Sequence, residues 1–158
     1  AAQTREEALN NNQSTYQPEQ IFSAGPVELL EELEDGRLLI QVNTDKRLKL
    51  CEEKQTLPFS IWRCEEVLDQ PVAENKQDAL AQTRDKILKR LEVLSHNQAD
   101  IQATLASDYW RKMAADKFSF AVTGMIGMPG DIAQALLEQT DPQQRLDDIL
   151  EMINSIRG

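Results

Sequence analysis

The sequence predicts an α+β protein in which a small antiparallel, β-barrel-like sheet lobe precedes an α-helical bundle lobe. Three observations predict it. Apolar residues alternate with polar ones before Pro71, an Asp35-Gly36 pair separates two apolar runs, and a helical period continues from Pro71 onward. Strands that all come before the helices are typical of the α+β class.

The composition restricts the classes of partner. The chain has 158 residues, a formal net charge of −10 and a pI near 4.6. This acidity argues against nucleic acid, whose phosphates require clusters of Lys and Arg. No run approaches the roughly 20 apolar residues of a membrane span, and no basic-then-apolar signal segment opens the chain. Two cysteines, Cys51 and Cys64, do not make a disulfide framework, so a cytoplasmic location is expected.

Three regions follow from changes in composition along the chain. Residues 1–20 are polar, with "NNNQSTYQPEQ" at their centre, and are interpreted as a loop or linker. Residues 21–71 form the predicted β lobe and residues 72–158 the predicted helical lobe. We expect the two lobes to form one domain.

The β lobe begins with a predicted hairpin. In "IFSAGPVELLEELEDGRLLIQV", Asp35-Gly36 lies between two apolar stretches, and this dipeptide is the strongest short-range hairpin signal. "RLKLCEE" alternates as a half-buried strand, with Leu48 and Leu50 on one side. "LPFSIWRCEEVLD" predicts a further strand, which offers three residues to the core: Phe59, Ile61 and Trp62.

The helical lobe begins with an amphipathic helix from about Asn75 to Leu94. Its apolar residues lie near one stripe and its charged residues decorate the remaining surface. The sequence predicts three further helices before the last one, at Ile101–Ala106, Asp108–Thr123 and Asp131–Gln139. Glycines and Pro129 separate the second of these from the third.

The final helix has a clear predicted start. Asp141 is a good N-cap, Pro142 suits the first helical position, and Gln144 can reach back to complete a capping box. The apolar face contains Leu146, Ile149, Leu150 and Ile153. We place the charged side chains on the other faces: Arg145, Asp147, Asp148 and Glu151.

Catalytic motifs, cofactor-binding motifs and metal-ligand spacings are not found in the sequence. His96 is the only histidine and is far from both cysteines, and "GMIGMPG" has neither P-loop nor dinucleotide-binding spacing. A cluster of carboxylates in the predicted hairpin is interpreted as a solvated sheet face: Glu28, Glu31, Glu32, Glu34 and Asp35. The alternative, a small hydrolase, predicts a cleft in which Glu31, Glu34 or Asp35 has a raised pKa.

A crowded apolar stretch is the candidate protein-binding site. Not all of its large side chains fit one helical stripe, and flexible methionines beside glycines can line an adaptable surface for peptides. We weigh a role in the core above a role in binding. The candidate residues are Phe118, Phe120, Met125, Ile126 and Met128.

The order of these segments resembles the N-terminal domain of Lon proteases, which also occurs in stand-alone Lon-like proteins. "IFSAGPVELLEELEDGRLLIQV" is similar to that family's Gly-then-hairpin stretch, and "RLKL" to its next strand, where an aromatic normally stands at Leu48. "DIAQALLEQTDPQQRLDDILEMI" resembles the closing helices, with matching residues at Leu136, Leu137, Glu138, Asp141, Arg145 and Leu146. The resemblance runs from about Gln20 to Ile153. Members usually open with an apolar, proline-containing strand and a helix that Ala1–Gln20 lacks, so we expect either that the chain is a fragment or that those elements were lost.

The resemblance implies a non-catalytic domain that takes part in substrate-protein recognition and assembly. In the family, ATP hydrolysis and peptide cleavage belong to other domains, and this chain contains no P-loop. We therefore expect it to bind exposed apolar segments of unfolded or partly folded polypeptides, without cofactor or metal. The alternative is an oligomerisation or structural module, in which the helix from Asn75 to Leu94 pairs with its counterpart.

Overall fold

All described strands precede the helices, which confirms the predicted α+β class. The computed structural model describes residues 18–56 and 60–156. Most of the predicted linker and Phe59 therefore lie outside the described residues. The chain divides between Leu68 and Asp69 into two units, which we call the sheet unit and the helical unit.

Two antiparallel sheets make up the described part of the sheet unit. Their order is β1-β4-β5 in one and β2-β3 in the other. The strands are β1 (Ile21–Ala24), β2 (Val27–Glu32), β3 (Leu38–Val42), β4 (Lys46–Gln55) and β5 (Ile61–Glu66).

The predicted hairpin is present as β2 and β3, joined by the turn that contains Asp35 and Gly36. Gly36 has a φ of 79°, a conformation that glycine adopts without steric cost. The turn is closed by the Leu33 N–H, which donates to the Arg37 carbonyl oxygen at 2.8 Å. Arg37 Nε also lies 2.7 Å from Asp35 Oδ2. Local sequence therefore fixes this turn.

Beyond β2 and β3, the two chain segments of the hairpin stay paired, and their backbones approach closely where Gly25 meets Asn43. The Asn43 N–H donates to the Pro26 oxygen at 3.1 Å and the Asp45 N–H to the Ala24 oxygen at 3.0 Å. A β-carbon on Gly25 would lie 1.9 Å from the Asn43 carbonyl oxygen. Only glycine fits this close approach. The approach lies between the pairing of β2 with β3 and the pairing of β1 with β4.

The predicted contribution of Ile61 to a core is wrong. Ile61 is 43% exposed, whereas Trp62, Leu48 and Leu50 are half-buried. The reason is its place in the ladder. Ile61 opposes Gln55 beyond a register shift in β4, at the end of the pairing. A bulge of this kind turns the strand end away from its neighbours.

The helical unit contains a 3₁₀ turn at Glu74–Lys76 and six described α-helices. They are α1 (Gln77–Leu94), α2 (Ala99–Ala106), α3 (Asp108–Lys112), α4 (Ala115–Ile126), α5 (Gly130–Glu138) and α6 (Pro142–Ser155). None of the helices in these described ranges is long and apolar enough to cross a membrane.

The single helix predicted from Asp108 to Thr123 is instead two helices, α3 and α4. Met113 and Ala114 have extended backbone, with ψ of 133° and 140°. The Met113 carbonyl oxygen accepts a hydrogen bond from Arg84 Nη1 at 2.9 Å, so a tertiary contact replaces a helical one. The break lets Trp110 meet Phe118 edge to face at 5.8 Å.

One apolar cluster forms the core of the helical unit. Helices α1, α4 and α6 supply most of it, and the predicted stripes of α1 and α6 face inward. The buried apolar residues are Leu80, Ile87, Leu88, Leu91, Leu105, Trp110, Ala115, Phe118, Val122, Leu136, Leu146, Ile149 and Ile153.

The start of α6 confirms the predicted cap and corrects one detail. The Asp141 carboxylate accepts from the N–H groups of Gln143 at 2.9 Å and Gln144 at 3.2 Å, and Pro142 occupies the first turn. Gln144 does not close a capping box. Its Nε2 donates to Asp148 Oδ1 at 2.8 Å, one helical turn along.

The placement of Arg145 on a solvated face is wrong, because its side chain is fully buried. Its Nε donates to Ser119 Oγ at 2.7 Å and its Nη1 to the Gln139 carbonyl oxygen at 2.6 Å. Both terminal nitrogens donate to the carboxylate of Asp69 in a bidentate pair. The guanidinium carbon also lies 3.8 Å from the centre of the Phe120 ring. One side chain thus joins four segments of the helical unit.

We predict that Arg145→Ala lowers the free energy of unfolding by roughly 3–5 kcal/mol, because it leaves the Asp69 carboxylate partly buried without its counter-charge. Urea denaturation followed by circular dichroism at 222 nm measures this. Arg111→Ala is the matched control. Arg111 is exposed, with only a 3.6 Å contact to Glu92, so a change below about 0.5 kcal/mol is expected. Equal effects of the two variants would contradict the prediction.

We predict opposite effects for two Gly→Ala substitutions. Gly25→Ala destabilises by roughly 1–3 kcal/mol, because its β-carbon overlaps the Asn43 carbonyl. Gly124→Ala stabilises by roughly 0.5–1 kcal/mol, because Gly124 lies within α4 and a β-carbon there meets no atom within 4 Å. Urea unfolding with tryptophan emission as the signal measures both, and changes of the same sign would refute the interpretation.

Candidate polypeptide-binding surfaces

One face of the β2–β3 hairpin is apolar and exposed. Cross-strand partners lie on the same face of a sheet, and the ladder pairs Val27 with Val42 and Leu29 with Ile40. Leu38 occupies the same face opposite Glu32. We call the following five residues the hairpin face, and each is between 45% and 63% exposed: Val27, Leu29, Leu38, Ile40 and Val42. Contiguous apolar surface of this kind marks interaction sites.

The opposite face of the hairpin is acidic. Glu28 pairs with Gln41 and Glu31 with Leu39, so both carboxylates point away from the hairpin face. The register shifts between Leu29 and Glu31, which leaves Leu30 as the extra residue of a bulge. All residues of β2 and β3 are exposed. The two faces of the hairpin therefore differ: one is apolar except for Glu32, and the other carries Glu28 and Glu31 together with Gln41 and Leu39.

Acidic residues also surround the turn. Glu32 and Glu34 are exposed there, and Asp35 is paired with Arg37. Among the residues that the structure describes, no salt bridge involves Glu28, Glu31, Glu32 or Glu34. The hairpin therefore carries uncompensated negative charge beside its apolar face.

The structure divides the sequence-predicted binding residues into two groups. Phe118 is fully buried against Trp110, and Phe120 is half-buried beneath the Arg145 guanidinium. The Phe118 ring is therefore enclosed in the core, whereas the Phe120 ring keeps part of its surface exposed. The remaining three are half-buried and pack on the edge of the helical core: Met125, Ile126 and Met128. Gly127, between them, has a φ of 63° and ends α4.

The carboxylates considered for hydrolysis do not form a cleft. Glu31, Glu34 and Asp35 are exposed on the hairpin, and Asp35 is in the ion pair with Arg37. This arrangement provides no water-excluding site in which one carboxyl could serve as an acid and another as a base. The hydrolase alternative thereby loses its structural basis.

The helix considered for self-association uses its apolar stripe internally. Leu80, Ile87 and Leu91 of α1 are buried in the core of the helical unit. On the outer side of the helix, Val93 is 61% exposed. Pairing of two copies through this stripe would require the unit to open.

A shallow depression lies between α5 and α6 in the helical unit. Leu136 forms its floor and Ile132, 39% exposed, stands at its edge. Three acidic side chains also line it: Asp131, Glu138 and Asp148. Within residues 18–56 and 60–156, no group of three or more His, Cys, Asp or Glu side chains is arranged to hold a metal ion.

One carboxyl of the three-stranded sheet has a shifted pKa. Arg63 Nη1 donates to Glu65 Oε1 at 2.7 Å, and this hydrogen bond and the positive charge lower the pKa of Glu65 below its usual value. The Cys51 side chain contributes in the same direction. Both charged side chains are well exposed.

We predict that Arg63→Gln returns the pKa of Glu65 to the ordinary glutamate range. A group with a lowered folded-state pKa adds stability above its unfolded pKa, and that contribution is lost as pH falls through the folded pKa. Side-chain carboxyl NMR titration measures the pKa directly. Lys54→Gln is the control, because Lys54 pairs with Glu52. An unchanged Glu65 titration in Arg63→Gln would show that the pair does not persist in solution.

The fold is similar to that of a known domain class. The structure matches the N-terminal domain of Mycobacterium avium complex Lon protease with a TM-score of 0.66 and 14% sequence identity. The match covers 87% of this chain and 72% of that one. At this identity the likeness shows the fold, which is that of a Lon N-terminal domain.

A family model identifies the sequence itself. The model described as the ATP-dependent protease La (LON) substrate-binding domain matches residues 9–155. The chain therefore belongs to the LON substrate-binding domain family, and the resemblance found in the sequence is confirmed. No curated protein matches the chain.

Sequence reasoning did not identify the hairpin face. It assigned β2 and β3 to a lobe with its own core, because alternation of apolar residues looks the same whether or not another layer covers them. The only local signal was the density of carboxylates, which was interpreted as a solvated face. The carboxylates do lie in solvent, and so do the apolar residues between them.

Proposed function

We propose that this chain is a non-catalytic polypeptide-binding module that recognises exposed apolar segments of other polypeptides. The single observation that carries the proposal is the exposed hairpin face. Membership of a family described as substrate-binding supports it from an independent direction. In this proposal, the sheet unit and the helical unit together make one domain of the Lon N-terminal type, without a peptidase or ATPase site.

The hairpin face has the chemistry that such binding requires. Burial of apolar surface contributes roughly 25 cal/mol per Å², and all five side chains of the face retain about half or more of their exposure. The carboxylates of Glu28 and Glu31 lie on the other side, so a partner with apolar side chains can cover most of the face without desolvating charge. Glu32, opposite Leu38 near the turn, is the carboxylate of β2 that shares the face. Negative charge nearby keeps the uncovered face soluble.

A second candidate surface remains the stretch with Met125, Ile126 and Met128. These side chains are half-buried, and the nearby Gly124 and Gly130 have open space around them. Methionine adapts to irregular partners. We rank this surface below the hairpin face, because its side chains already contribute to the helical core.

The alternative function, an oligomerisation module, would use the same hairpin face against a second copy. The exposed apolar area of the hairpin face favours such self-association, and repulsion between like charges opposes it. Glu32 is exposed and lies on the hairpin face opposite Leu38, so two hairpin faces in contact would enclose a carboxylate from each copy. Sedimentation velocity over a wide concentration range separates the two functions.

We predict that Val27→Thr weakens binding of a permanently unfolded, fluorescently labelled polypeptide by about fourfold, and that Val27→Thr with Val42→Thr weakens it roughly tenfold or more. Each change replaces one methyl group of the buried contact by a hydroxyl, and the lost methyl group contributes about 0.8 kcal/mol. Threonine keeps the β-branched shape that suits a strand. Fluorescence anisotropy measures the dissociation constants.

The control is Val93→Thr in α1. Val93 is 61% exposed and Val27 is 63% exposed, so the two substitutions are matched in chemistry and accessibility. Val93→Thr should leave binding unchanged. Equal effects of Val27→Thr and Val93→Thr, or no binding of the unfolded polypeptide to the parent chain, would contradict the proposed function.

A further inference from the structure

The hairpin has free strand edges as well as an apolar face. β2 and β3 form a two-stranded sheet, so in residues 18–56 and 60–156 each has one side on which no other strand pairs. The outward N–H and C=O groups of such an edge can pair with an added strand. Pairing of this kind would place a client beside the hairpin and in a defined register.

The two faces of the hairpin set what an added strand must contain. Successive side chains of a strand point to opposite faces. A strand added along β2 would set every second side chain beside Val27 and Leu29, on the hairpin face. The side chains between them would lie beside Glu28 and Glu31 on the acidic face.

Charge selects the alternate side chains. Glu28 and Glu31 form no salt bridge in the described part of the chain. Opposite charges directly across neighbouring strands attract, whereas like charges repel. The positions facing Glu28 and Glu31 therefore favour Lys or Arg and reject Asp or Glu.

Other occupants of this edge fit less well. A second copy of the chain would bring its own carboxylates to the same positions, with a net charge of −10 on each molecule. The opening 17 residues, "AAQTREEALNNNQSTYQ", contain no stretch in which apolar and basic residues alternate. A separate, basic polypeptide is the complementary partner.

We propose that the clients of this module are extended segments in which apolar residues alternate with Lys or Arg, and that they bind as a strand added along β2. This inference rests on the proposed function and specifies its client class. The apolar residues lie beside Val27 and Leu29, and the basic residues pair with Glu28 and Glu31.

The test measures binding of three end-capped peptides of seven residues to the full chain. In the three peptides, Val alternates with Lys, with Gln or with Glu, respectively. In low salt, the Lys peptide should bind at least tenfold more tightly than the Gln peptide, and the Glu peptide should bind more weakly than both. Raising NaCl to about 0.5 M should narrow the difference in affinity between the Lys and Glu peptides, since screening weakens exposed charge pairs. Anisotropy of labelled peptides measures all three.

Charge-neutral variants locate the effect. Glu28→Gln with Glu31→Gln should bring the Lys and Gln peptides to within about twofold of each other. Glu74→Gln with Glu151→Gln makes the same change in net charge on exposed residues of the helical unit. It should leave the tenfold preference intact. Equal effects of the two double variants would overturn the assignment to β2, because only net charge would then matter.

Backbone methylation tests strand addition. The N–H groups of alternate residues in an added strand point toward β2, so N-methylation of the Lys peptide at one set of alternate residues should abolish binding. N-methylation of the other set of alternate residues should leave binding unchanged. Equal binding of both methylated peptides would overturn strand addition.

The outcomes separate this inference from the function on which it rests. If the three peptides bind equally and Val27→Thr still weakens binding, the proposed function stands and the client class is wrong. If neither the peptides nor an unfolded polypeptide binds, both fail. A concentration-dependent dimer that Glu28→Gln with Glu31→Gln strengthens would assign the edge to a second copy and overturn the inference.

Discussion

The helical unit depends on the buried guanidinium of Arg145. A buried cation is costly unless a counter-charge and hydrogen-bond acceptors surround it. Asp69 supplies the charge, Ser119 and the Gln139 carbonyl supply further acceptors, and Phe120 covers one face of the plane. The Ser119 hydroxyl accepts from Arg145 and donates to the Asp116 carbonyl oxygen, so its hydrogen-bonding capacity is also used. Removal of any one partner would leave the other polar groups buried without a hydrogen-bond partner. The fold must therefore hold α4, α6 and the segment that contains Asp69 in fixed positions relative to one another.

The sheet unit differs in that its hairpin exposes large apolar side chains on one face. This face leaves five large apolar side chains in water, and the opposite face carries the carboxylates of Glu28 and Glu31. The two faces can coexist because successive residues of a strand point in opposite directions. The glycine at position 25 allows the two chain segments of the hairpin to approach more closely than any other residue would permit. In our proposal, the charge that protects the hairpin from other copies also selects its client.

Local interactions account for the features that sequence predicted well. The turn at Asp35-Gly36 depends on a positive φ and the Asp35 carboxylate, and the start of α6 depends on Asp141 and the ring of Pro142. The break at Met113 was missed because it depends on Arg84, 29 positions earlier in the chain. The capping-box prediction for Gln144 failed because the side-chain amide is directed along the helix, where its Nε2 donates to Asp148, and not back toward the N-cap.

By itself, the sequence determined the α+β class, the hairpin, the order of the helices and the family, because each rests on local propensity or on the order of segments. Only the tertiary structure decided which polar side chains are buried and which apolar side chains remain exposed. Arg145 has the local pattern of a surface residue, and Val27 and Ile40 have that of core residues. Burial depends on what other elements place over a side chain, and neighbours in the sequence do not specify that.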